Sequence, residues 1–281
     1  ILKSIKGVSH ENRTDYRSIL PHWQRVCRTL DQRGYDELWV LARRKERLEE
    51  LGSCCQTRIR PLPLDLTKPE SFHTLHTLFS TERPEILTLV NASGFGLFGA
   101  FSERDLEGQL EMVELNIKAL TALTYMALPY MANNGEIYEL GSLSAFQPVP
   151  YLGVYAATKA YVLSFSRALN LELQKQKRNI RVLAVCPGWV KTEFFSRAQK
   201  ENTLTYFNRF FSPEEIIRRA LRDMKKGKDV SVCGTSIRLQ VFFQKFFRTL
   251  SLCASGANNR KNDRHSLKTL PGALKIHSVK V

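Results

Sequence analysis

The amino-acid sequence predicts an α/β protein, a single domain built on one doubly wound parallel sheet. Short β-rich runs alternate with helical patterns through most of the chain, which is how parallel strands joined by helical crossovers read. One run, Glu85-Ile86-Leu87-Thr88-Leu89-Val90, is apolar almost throughout. A strand without in/out alternation is one covered on both faces, as at the centre of a parallel sheet. No internal repeat and no interior linker divides the sequence.

Taken in order, Glu37–Leu41 reads as a strand, followed by a charged helix over 44–51. Arg58–Leu64 is a second strand, ending at Asp65, and Glu85–Val90 a third that runs into Asn91-Ala92-Ser93-Gly94-Phe95-Gly96. A long helix covers about 105–131. Glu136–Leu140 is the next strand and delivers Ser142; a helix over about 153–175 carries Tyr155 and Lys159. Asn179–Val185 is another strand, closed by Cys186-Pro187-Gly188. Ser212-Pro213-Glu214-Glu215 has the marks of a helix start: a Ser N-cap, Pro in the first turn and early acids. Asp229–Cys233 is a last short strand.

Composition narrows the function. The 281 residues are 43% hydrophobic, ample for a core, yet no run of about 18 apolar residues suggests a membrane span. No secretory leader pattern opens the sequence. The six cysteines show no paired or metal-ligand spacing, so reduced thiols in a cytoplasmic protein are expected. His73 and His76 share a helix without an acidic or thiol partner at ligand spacing, so no metal site is expected. The net charge of +15 suggests nucleic acid, but its distribution does not. Residues 1–28 carry six Lys or Arg against two acids, and 247–281 carry seven against one. Most of the excess sits at the ends, with no basic stripe interleaved with aromatics between them. No nucleic-acid partner is expected.

Tyr155 and Lys159 lie four residues apart, on one helix face. An ammonium held there favours the phenolate and pulls the phenol pKa down from roughly 10. Ser142, at the end of the preceding strand, can hydrogen-bond a carbonyl oxygen. Together they form a proton donor over a polarised C=O. By itself the Tyr/Lys pair is more simply an amphipathic helix with a half-buried anchor and a surface charge; its company decides otherwise.

Asn91-Ala92-Ser93-Gly94, Asn116 in Leu115-Asn116-Ile117, Ser142, Tyr155-x-x-x-Lys159 and Pro187-Gly188-x-x-x-Thr192 occur in an order and spacing that resemble the short-chain dehydrogenase/reductase family, over about residues 29–250. The likeness is to bacterial NAD(P)-dependent oxidoreductases of the broad group that includes DltE-like members. It implies a Rossmann-like fold and hydride transfer between NADP(H) and a carbonyl/alcohol pair. Tyr155 would be the acid or base, Lys159 would lower its pKa and hold the nicotinamide ribose, and Ser142, favoured over Ser144, would steady the substrate oxygen. Asn116 would bend the long helix and hold a water that joins Lys159 to solvent. Asn91, Ala92 and Gly94 would let the backbone approach the adenosine ribose and phosphates. Asp65 would touch the adenine edge, Pro187 and Gly188 would help bind the cofactor, and Thr192 would contact the carboxamide. Arg43 and Arg44, where an acid would favour NAD, match a ribose 2′-phosphate and favour NADP, with NAD the alternative. Trp189, Phe194, Phe195, Tyr206, Phe207, Phe210 and Phe211 would form a lid over a small apolar carbonyl or alcohol substrate. A homodimer or homotetramer is implied. The alternative function is a catalytically impaired or regulatory dinucleotide-binding protein of the same fold.

The family opens with a strand and a Thr-Gly-x-x-x-Gly-x-Gly loop that cradles the pyrophosphate. Here the early glycines are Gly7 and Gly34, and residues 12–28 show no strand pattern. The N-terminal strand and loop are expected to be missing or altered. Residues 1–28 read as an atypical flank, 29–246 as the catalytic domain and 247–281 as an atypical basic tail. Reverse translation of His10–Arg28, read one base later, admits Met-Arg-Ile-Ala-Leu-Ile-Thr-Gly-Ala-Ser-Ser-x-Ile-Gly-Arg-Glu-Phe-Ala. Trp23-Gln24 supplies the second motif glycine with no codon freedom. Leu252–Asp263, read two bases later, admits a basic ending and a stop. The hypothesis is that both flanks are out-of-frame readings, which the nucleotide sequence decides.

Overall fold

The computed structural model describes residues 8–11, 27, 29, 33–52, 55–190 and 210–244. Seven parallel strands form one sheet: β1 (Val8–Glu11), β2 (Glu37–Ala42), β3 (Arg58–Pro63), β4 (Ile86–Asn91), β5 (Met131–Leu140), β6 (Arg181–Val185) and the short β9 (Val230–Ser231). Their spatial order is β3-β2-β1-β4-β5-β6-β9, so the chain leaves β1 in one direction through β3 and in the other from β4. That reversal puts a crevice beyond the carboxyl ends of β1 and β4, where open α/β sheets bind ligands. β7 (Trp189–Val190) and β8 (Phe210–Phe211) pair in a separate two-stranded ribbon.

The central strand narrows one expectation. The N-terminal strand is altered rather than missing: Val8–Glu11 fills its place, four positions in register with β2 and two with β4. It carries no strand signature because a parallel ladder is made by backbone amides and carbonyls, which Val-Ser-His-Glu supplies as well as an apolar run does. It lies within the 1–28 stretch read from sequence as a flank. The loop that would come after it falls outside the described residues.

Helices cover both faces. α1 (Lys45–Gly52) and α2 (Pro69–Glu82) follow β2 and β3. α3 (Leu106–Val113) and α4 (Leu120–Ala127) are halves of one long helix, joined by a π-helical stretch at Glu114–Ala119. α5 spans Gly153–Lys175, α6 Pro213–Lys225, and α7 Thr235–Gln244. α7 is absent from the sequence reading.

Alternate residues of β5 separate the two cores, as a pleated strand requires. Ile137 joins Trp39, Leu75, Phe79, Leu89, Leu115, Leu123 and Val182 beneath α2, α4 and α5. Tyr138 joins Leu183, Val185, Phe211, Ala220 and Met224 beneath α6. Trp39 stacks on Phe79 at 5.9 Å between ring centroids, and the Arg60 guanidinium covers its ring from 4.6 Å. The start of α6 is as expected: the Glu215 amide donates to Ser212 Oγ at 3.3 Å, and the Ser212 amide to Glu215 Oε2 at 2.9 Å, a reciprocal capping box.

Candidate active site

Three carboxyl ends of strands and the first turn of α5 meet at one place. Ser142 follows β5 directly, where the Gly141 amide donates to Val185 O at 2.8 Å. A Cβ at Gly141 would lie 2.8 Å from Cys186 Sγ, so this close approach of β5 and β6 needs glycine. Ser142 Oγ accepts from the Ser144 amide at 3.2 Å and hydrogen-bonds the Tyr155 phenol. The rival Ser144 hydroxyl is buried without a partner, so the structure brings Ser142, not Ser144, to the tyrosine.

Lys159, 3% exposed, lies one turn beyond Tyr155. Its Nζ donates to Leu140 O at 2.7 Å and stands 5.8 Å from the Tyr155 ring centroid. Desolvation, opposed by Cys186 and Glu139, pushes the ammonium down to about 8. Tyr155 does not follow the expected direction: desolvation outweighs the Ser142 hydrogen bond and raises its phenol to about 12. The lysine's charge is spent on a carbonyl and a buried carboxyl, leaving burial to dominate at the tyrosine. Phe98 and Leu152 are buried there, with Val149, Tyr155 and Trp189 packed against them. The tyrosine is thus bordered by apolar side chains.

Asn116 lies in the π-helical stretch and is fully buried. Its Nδ2 donates to Phe95 O at 2.9 Å and to Thr158 Oγ1 at 3.0 Å, while its Oδ1 accepts from the Phe95 amide at 3.1 Å. The side chain therefore ties the loop after β4 to α5. A Cβ at Gly94 would come within 2.8 Å of Asn116 Oδ1 and 3.3 Å of Lys159 Nζ, so the loop passes over both groups only because residue 94 is glycine.

The remaining predicted residues divide. Asn91 is 2% exposed and turns inward, donating to Thr124 Oγ1 at 2.8 Å and to Glu139 Oε1 at 2.9 Å. Ala92 packs partly buried beside β2. Arg43, at the end of β2, lies 3.8 Å from Asp65 Oδ2, which brings together two residues predicted separately; Asp65 also accepts from the Thr67 amide and hydroxyl. Arg44 is exposed. Pro187 O accepts from the Leu143 amide at 2.9 Å, and a Cβ at Gly188 would lie 3.2 Å from Leu143 Cδ1. Of the expected lid, Trp189 and the half-exposed Phe210 flank the site, whereas Phe211 is core. Thr192, Phe194, Phe195, Tyr206 and Phe207 lie outside the described residues.

Sequence reasoning missed Glu139. It is fully buried at the end of β5, with Oε1 accepting from Asn91 Nδ2 and Thr124 Oγ1 at 2.9 Å each, and burial pushes its carboxyl up to about 8. The available signal was an acid inside Ile137-Tyr138-Glu139-Leu140, three residues before Ser142.

Among known proteins, residues 24–203 match the short chain dehydrogenase family. A probable NADP-dependent dehydrogenase of Haemophilus influenzae is 33% identical over 171 residues, 58% of this chain and 65% of that protein; the chain spans about two thirds of that relative's length. Sulfoacetaldehyde reductase 2 of Chromohalobacter salexigens is 32% identical over 176 residues, 59% of this chain and 69% of that protein. The short-chain dehydrogenase of Sphingobium yanoikuyae, solved in complex with NADPH, superposes with a TM-score of 0.69 at 25% identity, covering 96% of this chain and all of that one. With more than half of its length matched and the sheet order of β1–β6 and β9 in place, this chain belongs to the short-chain dehydrogenase family.

Proposed function

We propose that the protein transfers hydride between NADP(H) and a small carbonyl/alcohol pair, with Tyr155 as the proton donor in reduction and acceptor in oxidation. The observation that carries this reading is the meeting of Ser142, Tyr155 and Lys159: a hydroxyl bonded to a phenol, with a buried ammonium one turn away. A dinucleotide fits the crevice edge on two counts: the loop after β4 passes over Asn116 and Lys159 at the switch point of the sheet, and two guanidinium groups stand at the end of β2. When bound, the nicotinamide supplies or takes the hydride.

The chain's own residues do the rest. The Ser142 hydroxyl positions the substrate oxygen beside the Tyr155 phenol, which delivers a proton to that oxygen as negative charge develops. With its phenol raised to about 12, Tyr155 carries near neutral pH the proton that carbonyl reduction consumes. Phe98, Val149, Leu152 and Trp189 exclude water and favour an apolar substituent on the carbonyl. Arg44, exposed at the β2 end, and Arg43, shared with Asp65, are the groups for a 2′-phosphate. Names among the relatives agree: NADP-dependent dehydrogenase in Haemophilus influenzae, and NADP-dependent 3-hydroxy acid dehydrogenase in Schizosaccharomyces pombe. The scattered thiols favour a reducing, cytoplasmic setting.

The test is NADPH consumption at millimolar cofactor with a panel of ketones and aldehydes, beside Tyr155→Phe. Turnover is expected to fall by at least about a hundredfold in the variant, the scale of one proton-transfer group. Equal turnover by the two proteins would end the reading. A second reading, a dinucleotide-binding regulator, draws on the glycine-free stretch from Val8 to Arg33; it requires NADPH binding with no turnover across the panel.

A further inference from the structure

We infer that Thr158 is a positioning residue for Tyr155: its hydroxyl fastens the backbone of the proposed proton donor to Asn116, and through Asn116 to the loop after β4. The inference deepens the hydride-transfer reading and rests on it for its functional meaning. Thr158 is 1% exposed and precedes Lys159 on α5. Its Oγ1 donates to Tyr155 O at 2.7 Å, one turn back along the helix. The same oxygen accepts from Asn116 Nδ2 at 3.0 Å. Asn116 in turn holds Phe95 by both backbone groups, its carbonyl at 2.9 Å and its amide at 3.1 Å.

Counting protons leaves these groups one arrangement. A carbonyl only accepts, so the proton between Thr158 and Tyr155 O belongs to the Thr158 hydroxyl. With its single proton spent, Thr158 can only accept from Asn116. Both protons of the Asn116 amide are then in use, one on Phe95 O and one on Thr158 Oγ1, while Oδ1 takes the Phe95 amide. A rotated Asn116 amide would set oxygen against Phe95 O and nitrogen against the Phe95 N–H. The direction of donation is therefore fixed. Asn116 and Thr158 are both buried, so a lost partner leaves a polar group unsatisfied rather than hydrated. A hydroxyl bonded to its own helical turn gives the helix nothing by itself, since such back-bonding slightly weakens it. Its use at position 158 lies in the second bond, to another element. The loop held in this way is the one whose Gly94 lies over Asn116 Oδ1 and Lys159 Nζ. Thr158 thus sets Tyr155 in register with the loop that also borders Lys159.

The experiment compares three forms of the full chain with NADPH and a carbonyl that it turns over. Thr158→Val keeps the shape and removes donor and acceptor; Thr158→Ser keeps the hydroxyl. In the valine variant kcat is expected to fall about tenfold, the net worth of one hydrogen bond, with KM for the carbonyl within about twofold. The serine variant is expected to restore kcat to within about threefold of the unaltered protein. An unchanged kcat in Thr158→Val overturns the inference, and so does a serine variant as slow as the valine one, because the methyl group would then be what matters. In an Asn116→Ala background the same valine change is expected to cost less than it does alone, and an undiminished cost overturns the relay. Should Thr158→Val fail to fold, hydrogen exchange in the unaltered protein serves. With 15N-labelled asparagine, the two Nδ2 protons of Asn116, assigned by their loss in Asn116→Ala, are both expected to be protected; a freely exchanging proton overturns the inference. Exchange also separates it from the parent reading. Two protected protons in a protein inactive with every carbonyl would sink hydride transfer and leave the tie. An active enzyme indifferent to Thr158→Val would sink the positioning role alone.

Discussion

A carboxyl and an amine buried in the same site give it a pH signature in stability. Glu139 holds its proton up to about 8 in the fold, against 4.5 ordinarily. Between those values the native state binds more protons than the unfolded chain, so stability falls as pH rises through that window. Lys159, held down to about 8 against 10.5, does the reverse: above about 8 the unfolded chain binds more protons, so stability recovers toward 10.5. The thermal midpoint is expected to dip near pH 8, and Glu139→Gln to flatten the decline on the acid side; equal slopes in the two proteins would contradict the assignment. Legibility at this scale was uneven. Ser142, Tyr155 and Lys159 were readable because Asn91, Asn116 and Pro187-Gly188 accompany them in a family's order; spacing alone left the Tyr/Lys pair an ordinary helix face. Glu139 was not, since a single acid in an apolar run looks like a strand end until the fold covers it. The rise of the Tyr155 phenol was equally hidden, because it depends on Phe98, Leu152 and Trp189 arriving from three separate segments.

At the scale of elements, boundaries written in side-chain chemistry survived and those written only in backbone did not. α6 begins at the predicted Ser212-Pro213 signal, with both halves of the capping box made. Ser212→Ala is expected to lower stability by about 1 kcal/mol, read from denaturant midpoints with an unchanged slope, while leaving Tyr155-dependent turnover intact. A loss below a few tenths would show that tertiary packing of Ile216, Ala220 and Met224 holds the helix without its cap. β5 was foreseen from Glu136 but starts at Met131, because its early residues pair across a register shift next to Ile86. β1 was unreadable because its residues have no alternation to betray them. α7 follows Gly234, whose backbone φ of +89° a side chain would resist, and its weak apolar pattern gave no warning.

For the whole molecule, the contrast is between a complete proton-handling half and an unusual phosphate-side half. The groups proposed for proton transfer, from the end of β5, the π-helical stretch and α5, converge, whereas the stretch between β1 and Gly34 contains no glycine to let a backbone wrap a pyrophosphate. The chain is expected to bind NADPH weakly, with a dissociation constant above about 100 µM, or less than about 5.5 kcal/mol of binding. Fluorescence titration measures it. A chain carrying the shifted reading of His10–Arg28 should bind at least about tenfold tighter, a gain of about 1.4 kcal/mol. Tight binding by the present sequence would show that Val8–Glu11 and the residues just beyond it serve the cofactor in their own way.

The π-helical stretch at Glu114–Ala119 has a consequence for how such a protein can change over generations. A π turn accommodates one residue more than an α turn while leaving the faces before and after it in place. Removing a single residue there would restore a regular ladder and keep Leu120, Leu123 and Ala127 against the sheet. It would also withdraw Asn116 from Phe95 and Thr158. Regularity of the helix and the tie between loop and site are thus alternatives at one position. A lineage that drifts toward the smoother helix gains hydrogen-bond geometry and gives up the tie between the β4 loop and α5.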